Sequence, residues 1–170
     1  FAEAGYEVFV IEKHARVGQE TSTRNSCVLH AGIYYRQGSL KARLCVEGNA
    51  LSREFFSRYG VAWMETGKYI ISRSEEEDAE LDALMANAQA NGAPGMRLAS
   101  SKEIERSVPF IDCRSAIFSA STAIIDTGEY MQVLNGLLFQ RGAHLVTECR
   151  ACGFGESAVY TDRGEIECDI

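Results

Sequence analysis

Residues 21–35 read TSTRNSCVLHAGIYY. This stretch follows an apolar run that predicts a strand over residues 7–12, ending in Glu12. It contains hydroxyl groups, one guanidinium group, one side-chain amide and one histidine. Such donors can hold the oxygens of a phosphate group, and a histidine in the same loop can exchange protons. The stretch therefore predicts a loop that serves a phosphate-bearing cofactor and a redox centre together.

The residues before this loop are typical of the second half of a β-α-β dinucleotide-binding unit. Residues 1–5 predict the end of a helix capped by Gly5, and residues 7–12 predict a buried strand with an acidic tip. In such units the glycine-rich turn lies about 20 residues before the acidic residue. Counting back from Glu12 places that turn before Phe1, so we expect the chain to be a fragment.

The end of the sequence predicts a hairpin that turns at residues 162–164. The second strand of this hairpin would continue to Ile170, where the sequence stops. We therefore expect the fragment to lack its C-terminal continuation as well as the glycine-rich turn.

Composition narrows the possible classes of protein. The 170 residues are 46% hydrophobic, which is enough to bury the core of one domain or slightly more. The formal net charge is −7 and no basic run is present, so nucleic acid is not an expected partner. No stretch approaches the roughly 18 consecutive apolar residues of a membrane-spanning helix, although peripheral attachment stays open.

The six cysteines are expected to be reduced, mostly buried and structural. Cys149 and Cys152 have the spacing of a metal or redox pair, but they fall in a predicted strand. A separation of three residues there directs the two thiols to opposite faces. We therefore predict no metal site.

Helices and strands alternate along the rest of the chain. Ser39 is placed to cap a long helix that ends at Gly60, and the acidic run from Glu75 suits the start of a second helix. Helices are predicted over 39–59, 75–91, 101–106 and 128–141, strands near 62–65, 68–72, 96–98, 115–118 and 144–147, and a loop or edge segment over 121–126. This order predicts an α/β or α+β protein, and a dinucleotide-binding half interrupted by a mixed region favours α/β with an α+β insert.

Residues 22–35 resemble the flavin loop of the L-2-hydroxyglutarate dehydrogenase/oxidase family, whose pattern is S-x-R-N-S-G-V-I-H-A-G-I-Y-Y. Residues 38–48, GSLKARLCVEG, match the block that follows in that family. Further matches are residues 67–71 to a G-K-L-I-V strand, 91–95 to an N-G-V-x-G turn and 122–126 to a T-G-I-V-D segment. The chain is thus similar to FAD-dependent oxidoreductases of the D-amino-acid-oxidase-like superfamily.

This resemblance implies a partial FAD-binding dinucleotide fold of D-amino-acid-oxidase type with an inserted substrate-domain region. Residues 1–60 would form the FAD-binding part without its glycine-rich turn. Residues 61–140 would belong mainly to the substrate domain with a return helix, and residues 141–170 would return to the β structure of the FAD domain.

The resemblance also implies which residues bind the cofactor. A carboxylate at the position of Glu12 can accept hydrogen bonds from a ribose diol. The predicted FAD contacts are Glu12, Lys13, Ser22, Arg24, Asn25, Ser26 and Gly32. Cys27 occupies a position that is usually glycine in the family, and a positive φ there would strain a cysteine.

His30 is the predicted catalytic residue. Oxidation of a 2-hydroxy acid removes the hydroxyl proton as hydride leaves the α-carbon for the flavin, and an imidazole suits this general-base role near neutral pH. The implied substrate has two carboxylates and therefore needs cations and hydroxyl donors. The candidates that match the family are Tyr35, Lys41, Arg43 and Lys68.

The resemblance implies oxidation of L-2-hydroxyglutarate to 2-oxoglutarate, with electrons passed to a quinone or another acceptor. It implies a cytoplasmic protein, with peripheral association with the inner membrane left open. One alternative is another FAD-dependent dehydrogenase of the superfamily, such as a glycerol-3-phosphate dehydrogenase. A second is a non-catalytic flavin-binding module, to which Cys27 could point; a purely structural domain would leave the polar loop unexplained.

Overall fold

The structure is a computed structural model that describes residues 1–169. The chain divides into two compact units. One consists of Phe1–Ser26 with Thr127–Ile170, and the other of Cys27–Asp126. We call them the flanking unit and the central unit. These divisions fall after Ser26 and Asp126, not at the predicted boundaries 60 and 140, and the assignment of FAD and substrate roles to the predicted ranges stays a prediction.

The elements follow one another in the predicted alternating order. They are a 3₁₀ turn Ala2–Ala4, β1 Phe9–Ile11, β2 Val28–Leu29, α1 Leu40–Tyr59, β3 Trp63–Met64, β4 Lys68–Ser72, α2 Glu75–Ala90, β5 Met96–Ala99, α3 Ser101–Ser107, β6 Ser115–Ser119, β7 Ala123–Ile125, α4 Thr127–Gln140, β8 His144–Val146, β9 Ala151–Phe154, β10 Ala158–Thr161 and β11 Gly164–Glu167.

In the flanking unit, β1 runs parallel to β8, with Phe9 opposite His144. The predicted strand is present, but the prediction that it is buried was wrong. Phe9 is 52% exposed, and its ring stacks on the imidazole of His144 at a centroid distance of 4.9 Å. The reason is that β8 is the only strand paired with β1 among residues 1–169, so its faces remain largely uncovered.

The second sheet of the flanking unit is antiparallel in the order β11-β10-β9. The predicted hairpin is confirmed, because β10 and β11 pair from Ala158 with Glu167 to Thr161 with Gly164. The Thr161 hydroxyl donates to the Gly164 carbonyl at 2.7 Å and accepts from the Arg163 N–H at 3.1 Å. The predicted continuation at Ile170 lies outside the described residues.

Helix α1 of the central unit begins and ends where its caps predict. The Ser39 hydroxyl accepts from the Ala42 N–H at 3.2 Å, and Gly60 ends the helix with φ 72°. Its buried residues are Ala42, Asn49 and Phe56, which recur every seven residues along one face. A buried asparagine side chain needs hydrogen-bond partners, and those of Asn49 are the backbone carbonyls of His30 and Ser121.

Helix α2 packs with the antiparallel sheet β4-β6-β5. Ser74 caps its N-terminus by accepting from the Glu77 N–H at 3.3 Å, and the acidic first turn suits the helix dipole. Ala88 of α2 belongs to an apolar cluster with Ala31 and Ile33, which come from the loop that follows β2. The loop is therefore anchored in the core of the central unit.

The second sheet of the central unit has the order β2-β7-β3. Residues 121–126 were predicted as a loop or edge segment, and this prediction was wrong because β7 is the central strand. Val28 pairs with Ile124, and Trp63 pairs with Ile125 on the other side. A strand of three residues has too short a pattern to identify it without these distant partners.

All six cysteines are free thiols within the described residues. The prediction that most are buried was wrong, since only Cys149 is buried and Cys152 is exposed. Residues 1–169 contain no cluster of three or more histidine, cysteine or acidic side chains suited to hold a metal ion. Over the same residues, no helix combines the length and apolar character needed to cross a membrane.

Candidate functional site

A cavity of about 420 Å³ lies in the flanking unit at the carboxyl end of β1. Its lining residues come from three segments: Ile11–His14, Gly18–Ser22 and Cys149–Ala151. Glu12 is held at its rim, because one carboxylate oxygen accepts from the His14 N–H at 2.8 Å. The Glu12 backbone bonds to Val146 and Cys149, each at 2.9 Å. The strand tip therefore presents a carboxylate in a defined orientation.

Lys13 lines the same cavity but is engaged in an ion pair. Its ammonium group lies 2.5 Å from a carboxylate oxygen of Glu20, which also lies 3.0 Å from the His14 ring nitrogen. Hydrogen bonds from Lys13 and His14 lower the pKa of Glu20 to about 2. Lys13 thus shapes the cavity wall together with Glu20, and its charge is largely balanced there.

Of the predicted phosphate-binding residues in 22–26, only Ser22 lines this cavity. The Asn25 amide donates to the carbonyls of Thr21 and Ser22 at 2.7 and 3.1 Å, so it closes a local turn. Arg24 and Ser26 are exposed and lie outside the lining. The structure therefore brings Glu12, Lys13 and Ser22 together and leaves the other three apart from them.

Cys27 has φ 55°, in the left-handed region that favours glycine. The position where the sequence departs from the family pattern is therefore one where the backbone does adopt positive φ. The Ile125 N–H donates to the Cys27 carbonyl at 2.9 Å, which continues the pairing of β2 with β7. Sheet pairing holds Cys27 in a conformation that costs a non-glycine residue about 1 kcal/mol.

His30 lies in the central unit, at the mouth of a small pocket beside the end of β2. The pocket is lined by His30, Ala31, Gly32, Ile33, Tyr34, Tyr35, Lys68 and Thr122. The Lys68 ammonium lies 4.4 Å from the centre of the Tyr34 ring, and the Lys41 ammonium lies 4.6 Å from that of Tyr35. Two lysines and two tyrosines thus lie in the neighbourhood of one imidazole.

These neighbours change the acidity of His30. Partial desolvation of the ring lowers its pKa below the ordinary value of 6.5, and the charges of Lys68 and then Lys41 lower it further. The imidazole is therefore neutral over more of the pH range than an isolated histidine. A neutral imidazole can accept a proton, whereas the charged form cannot.

Of two further predicted site residues, Gly32 lies in the His30 pocket and Arg43 lies outside it. Gly32 lines the His30 pocket with φ 82°, and a Cβ there would lie 2.6 Å from a methyl carbon of Val46. Glycine is therefore required for two reasons, the backbone conformation and the close approach of α1. Arg43 is 66% exposed, pairs with Glu47 at 3.7 Å and is absent from the pocket lining.

Three asparagines that were not predicted as site residues hold the backbone of residues 30–35. The Asn87 amide donates to the carbonyls of Ile33 and Tyr35 at 2.9 and 3.0 Å. Asn91, the C-cap of α2, donates to the carbonyls of Gly32 and Tyr35 at 3.1 and 2.7 Å. Asn49 donates to His30 at 2.9 Å. One sequence feature could have identified two of these asparagines. Asn87 and Asn91 are four residues apart at the end of α2, so they lie on the same side of the helix, next to its buried stripe.

A comparison with protein families identifies the chain. The family described as DAO, FAD dependent oxidoreductase, matches residues 1–170. The chain belongs to this family. The membership confirms the predicted resemblance and implies FAD as the cofactor, which was also predicted.

Relatives within this family include the enzymes named L-2-hydroxyglutarate dehydrogenase, mitochondrial. The chain is 39% identical to that of Caenorhabditis briggsae over 141 residues, which is 83% of this chain and 32% of the relative. It is 38% identical to the human protein over 124 residues, which is 73% of this chain and 26% of the relative. The chain thus spans between about a quarter and a third of the length of these relatives.

Solved structures confirm the predicted α/β fold of D-amino-acid-oxidase type. L-proline dehydrogenase from P. horikoshii matches 99% of this chain and 46% of its own, with a TM-score of 0.84 at 21% identity. L-alpha-glycerophosphate oxidase from Mycoplasma pneumoniae, solved with FAD bound, matches 95% of this chain and 46% of its own, with a TM-score of 0.82 at 22% identity. At these identities the likeness concerns the fold.

The residues present fit the cofactor that the family implies. The cavity at the tip of β1 has the volume of a site for a small organic group, and a carboxylate that can accept from a ribose diol stands at its rim. Among residues 1–169, only one oxygen of that Glu12 carboxylate is engaged, by the His14 N–H. The other is available for a ribose hydroxyl.

Proposed function

We propose that the protein carrying this chain oxidises L-2-hydroxyglutarate to 2-oxoglutarate with FAD as cofactor. The observation that carries the proposal is the arrangement around His30, where two lysines each lie over a tyrosine ring beside an imidazole whose pKa is lowered. The similarity to relatives named L-2-hydroxyglutarate dehydrogenase supports the choice of substrate.

Each cation–aromatic pair restricts a flexible lysine. An ammonium group over the face of a tyrosine ring is attracted by the ring and loses part of its rotational freedom. Lys41 and Lys68 would then offer two cations beside one imidazole, which suits a substrate with two carboxylates. Tyr35 supplies a phenol in the same pocket. Arg43, which pairs with Glu47, is the weakest of the predicted substrate ligands.

The oxidation separates a proton from a hydride. His30 accepts the proton of the substrate hydroxyl, so that the oxygen can form the carbonyl of the 2-oxo acid as the hydride leaves the α-carbon. FAD, when bound, supplies the acceptor for that hydride. Because the pKa of His30 is lowered, more of the imidazole is in the neutral, proton-accepting form at a given pH than in an isolated histidine.

Glu12 would hold the cofactor through a ribose diol, with Ser22 and the Lys13–Glu20 pair forming the neighbouring wall. A carboxylate at this position also disfavours a ligand with a 2′-phosphate because the two charges repel. Gly32 would serve the substrate pocket by allowing α1 to approach, which refines its predicted role in cofactor binding.

The proposal is tested by anaerobic mixing of the FAD-loaded protein with L-2-hydroxyglutarate, D-2-hydroxyglutarate and glycerol 3-phosphate while flavin absorbance is followed. We expect bleaching by the L-hydroxy acid alone. The variant His30→Ala should retain flavin and lose about 10²- to 10⁴-fold in the rate of bleaching, whereas His144→Ala, which removes a histidine stacked on Phe9, serves as the matched control.

Other outcomes would point to the alternatives. Bleaching by glycerol 3-phosphate alone would favour a glycerol-3-phosphate dehydrogenase. A bound flavin that no hydroxy acid bleaches would favour a non-catalytic flavin-binding module, and an unchanged rate in His30→Ala would remove His30 from the mechanism.

We propose further that the electrons pass to a quinone or another acceptor and not mainly to oxygen, in a cytoplasmic protein that can associate peripherally with the inner membrane. After bleaching, admitting a soluble quinone or air separates the two acceptors. Faster recovery of absorbance with air would contradict this part of the proposal.

A further inference from the structure

The backbone of His30 is held by a side chain from another element. Asn49 lies in the buried stripe of α1 and is 2% exposed. Its amide nitrogen donates to the His30 carbonyl at 2.9 Å and to the Ser121 carbonyl at 3.1 Å. Both amide hydrogens are therefore used. The two carbonyls belong to separate segments that both line the His30 pocket, since Thr122 follows Ser121.

Arg53 determines which way the Asn49 amide points. Its Nε–H donates to the Asn49 side-chain oxygen at 2.9 Å, so the amide nitrogen must face the two carbonyls. Arg53 also donates to the Ser121 carbonyl at 2.7 Å and pairs with Glu65. Its guanidinium lies 5.1 Å from the centre of the Trp63 ring. The arginine is thus held on several sides and cannot easily release the amide.

A bond to the His30 carbonyl constrains the imidazole. The carbonyl belongs to the peptide plane that joins His30 to Ala31, so holding it restricts the ψ angle of His30. Ala31, on the other side of this plane, is buried in the core cluster. Without the amide, the loop would have to move to give this carbonyl another partner. A displacement of about 1 Å at a reacting group can cost about 10²-fold in rate.

We propose that Asn49, oriented by Arg53, is a positioning residue that holds the imidazole of His30 in place for proton transfer. This inference rests on the proposed function, in which His30 accepts the substrate proton. Asn49 itself donates both amide hydrogens to backbone carbonyls, so it acts through His30 and not on the substrate.

The test compares Asn49→Ala with Asn87→Ala in the FAD-loaded protein. Asn87 is a matched control because its amide also donates to two carbonyls of the same loop, those of Ile33 and Tyr35, but not to that of His30. The rate of anaerobic flavin reduction by L-2-hydroxyglutarate is measured from about pH 5 to pH 9, together with melting temperature and flavin content.

We expect Asn49→Ala to lower the limiting rate about 10- to 100-fold and to move the pH midpoint assigned to His30. Asn87→Ala should raise KM and leave that midpoint in place. The titratable groups around the pocket are unchanged in both variants: Lys68 from β4, Lys41 and Cys45 from α1, and Tyr34 and Tyr35 from the loop. Equal losses with unshifted midpoints would overturn the inference and leave Asn49 a purely structural residue.

A double variant separates this inference from the proposed function. If Asn49 acts through His30, Asn49→Ala should cause no further loss of rate in a His30→Ala background. Additive losses would overturn the positioning role alone, whereas an unchanged rate in His30→Ala by itself would remove His30 from the proposed mechanism. If Asn49→Ala does not fold, Arg53→Met is measured instead; it should lower the rate in the same direction, and an unchanged rate would count against the inference.

Discussion

The central unit contains most of the buried apolar core of residues 1–169, whereas the flanking unit buries few apolar residues, and both units expose large apolar side chains. All buried apolar residues except Ala143, Cys149 and Ala158 belong to the central unit. In the flanking unit, Phe9, Phe139 and Phe154 are 52%, 54% and 76% exposed. Since apolar burial is the main favourable term in folding, the two units differ in how they obtain their stability.

The two units also differ in how firmly they hold their candidate site residues. The loop from His30 to Tyr35 is held by partly buried amide–carbonyl hydrogen bonds and by the core cluster. Glu12 and Lys13 are held at the surface by one backbone bond and one ion pair. Surface ion pairs are screened by salt and contribute little, so the geometry around His30 should be the less sensitive to solvent conditions.

The largest expected effect tests whether the core of the central unit dominates stability. Phe56 is 1% exposed, and Phe56→Ala should lower the free energy of unfolding by about 3–5 kcal/mol. Phe154→Ala in the flanking unit should change it by less than about 0.5 kcal/mol. Urea denaturation of the FAD-loaded protein measures both, and a loss above about 2 kcal/mol for Phe154→Ala would mean that this surface is covered in the folded protein.

A second prediction concerns the cofactor residue of the flanking unit. Glu12→Gln keeps an oxygen to accept from the His14 N–H but removes the charge. Because charge-assisted hydrogen bonds contribute about 1.5–3 kcal/mol, FAD affinity should fall about 10- to 100-fold. Flavin fluorescence during dialysis measures this, with the exposed Glu165→Gln of β11 as control. Equal affinity in Glu12→Gln and the parent protein would exclude Glu12 as a ribose ligand.

A third prediction tests the backbone strain at Cys27, the first residue of the central unit. Cys27→Gly should raise the free energy of unfolding by about 1 kcal/mol, because glycine adopts φ 55° without steric cost. Cys45→Gly in α1 is the matched control and should lower it by about 1 kcal/mol. Thermal unfolding compares the two, and a destabilising Cys27→Gly would mean that contacts of the thiol outweigh the strain.

A fourth prediction tests whether the charge of Lys68 lowers the pKa of His30. Lys68→Met removes the larger of the two charge effects on this histidine, so the pKa of His30 should rise towards its ordinary value. The ring protons of His30, followed by NMR against pH without substrate, report the change directly. Lys102→Met on α3 should leave the titration unchanged. A pKa that does not move in Lys68→Met would show that the charge of Lys68 does not contribute to the shift.

The smallest effect concerns acid stability in the two units. The pKa of Asp78 in the central unit is lowered to about 2 by hydrogen bonds from Ser115 and Ser72 and by Arg114, and that of Glu20 in the flanking unit to about 2. A lowered pKa means that each carboxylate contributes stability above its unfolded pKa, and that this contribution is lost as pH falls towards 2.

The variants Asp78→Asn and Glu20→Gln should therefore both be less stable than the parent near pH 5, and both should lose less as pH falls. We expect the greater change for Asp78→Asn, since Asp78 is less exposed than Glu20. Urea midpoints between about pH 5 and pH 2 measure the slopes. A larger change for Glu20→Gln would contradict the contrast between the units.

Local signals in the sequence were sufficient for most elements. Ser39 and Gly60 bound α1, Ser74 caps α2, and the Asp162-Arg163 turn joins β10 to β11. In each case the deciding interactions lie within a few residues of one another, so the sequence pattern contains them. The family blocks in residues 22–48 likewise sufficed for the fold, the cofactor and the choice of His30 as a candidate.

Other features depended on partners that lie far apart in the sequence. The three residues of β7 form a central strand because β2 and β3 pair with them on both sides. The sequence also offered no reason to choose Asn49 over other asparagines, since one of its carbonyl partners lies 72 residues away. Likewise, only the folded backbone established that Cys27 adopts positive φ.

The sequence by itself determined the family, the order of the elements and the chemistry available in residues 21–35, because local spacing and residue type carry that information. Tertiary structure decided which of those groups lie close together. It places His30 near Lys41 and Lys68, and Glu12 in one cavity with Ser22. Arg24, Asn25 and Arg43 lie outside these two sites. The physical reason is that a buried carbonyl or a charge takes its partner from whichever segment packing brings near, and packing joins segments irrespective of their distance along the chain.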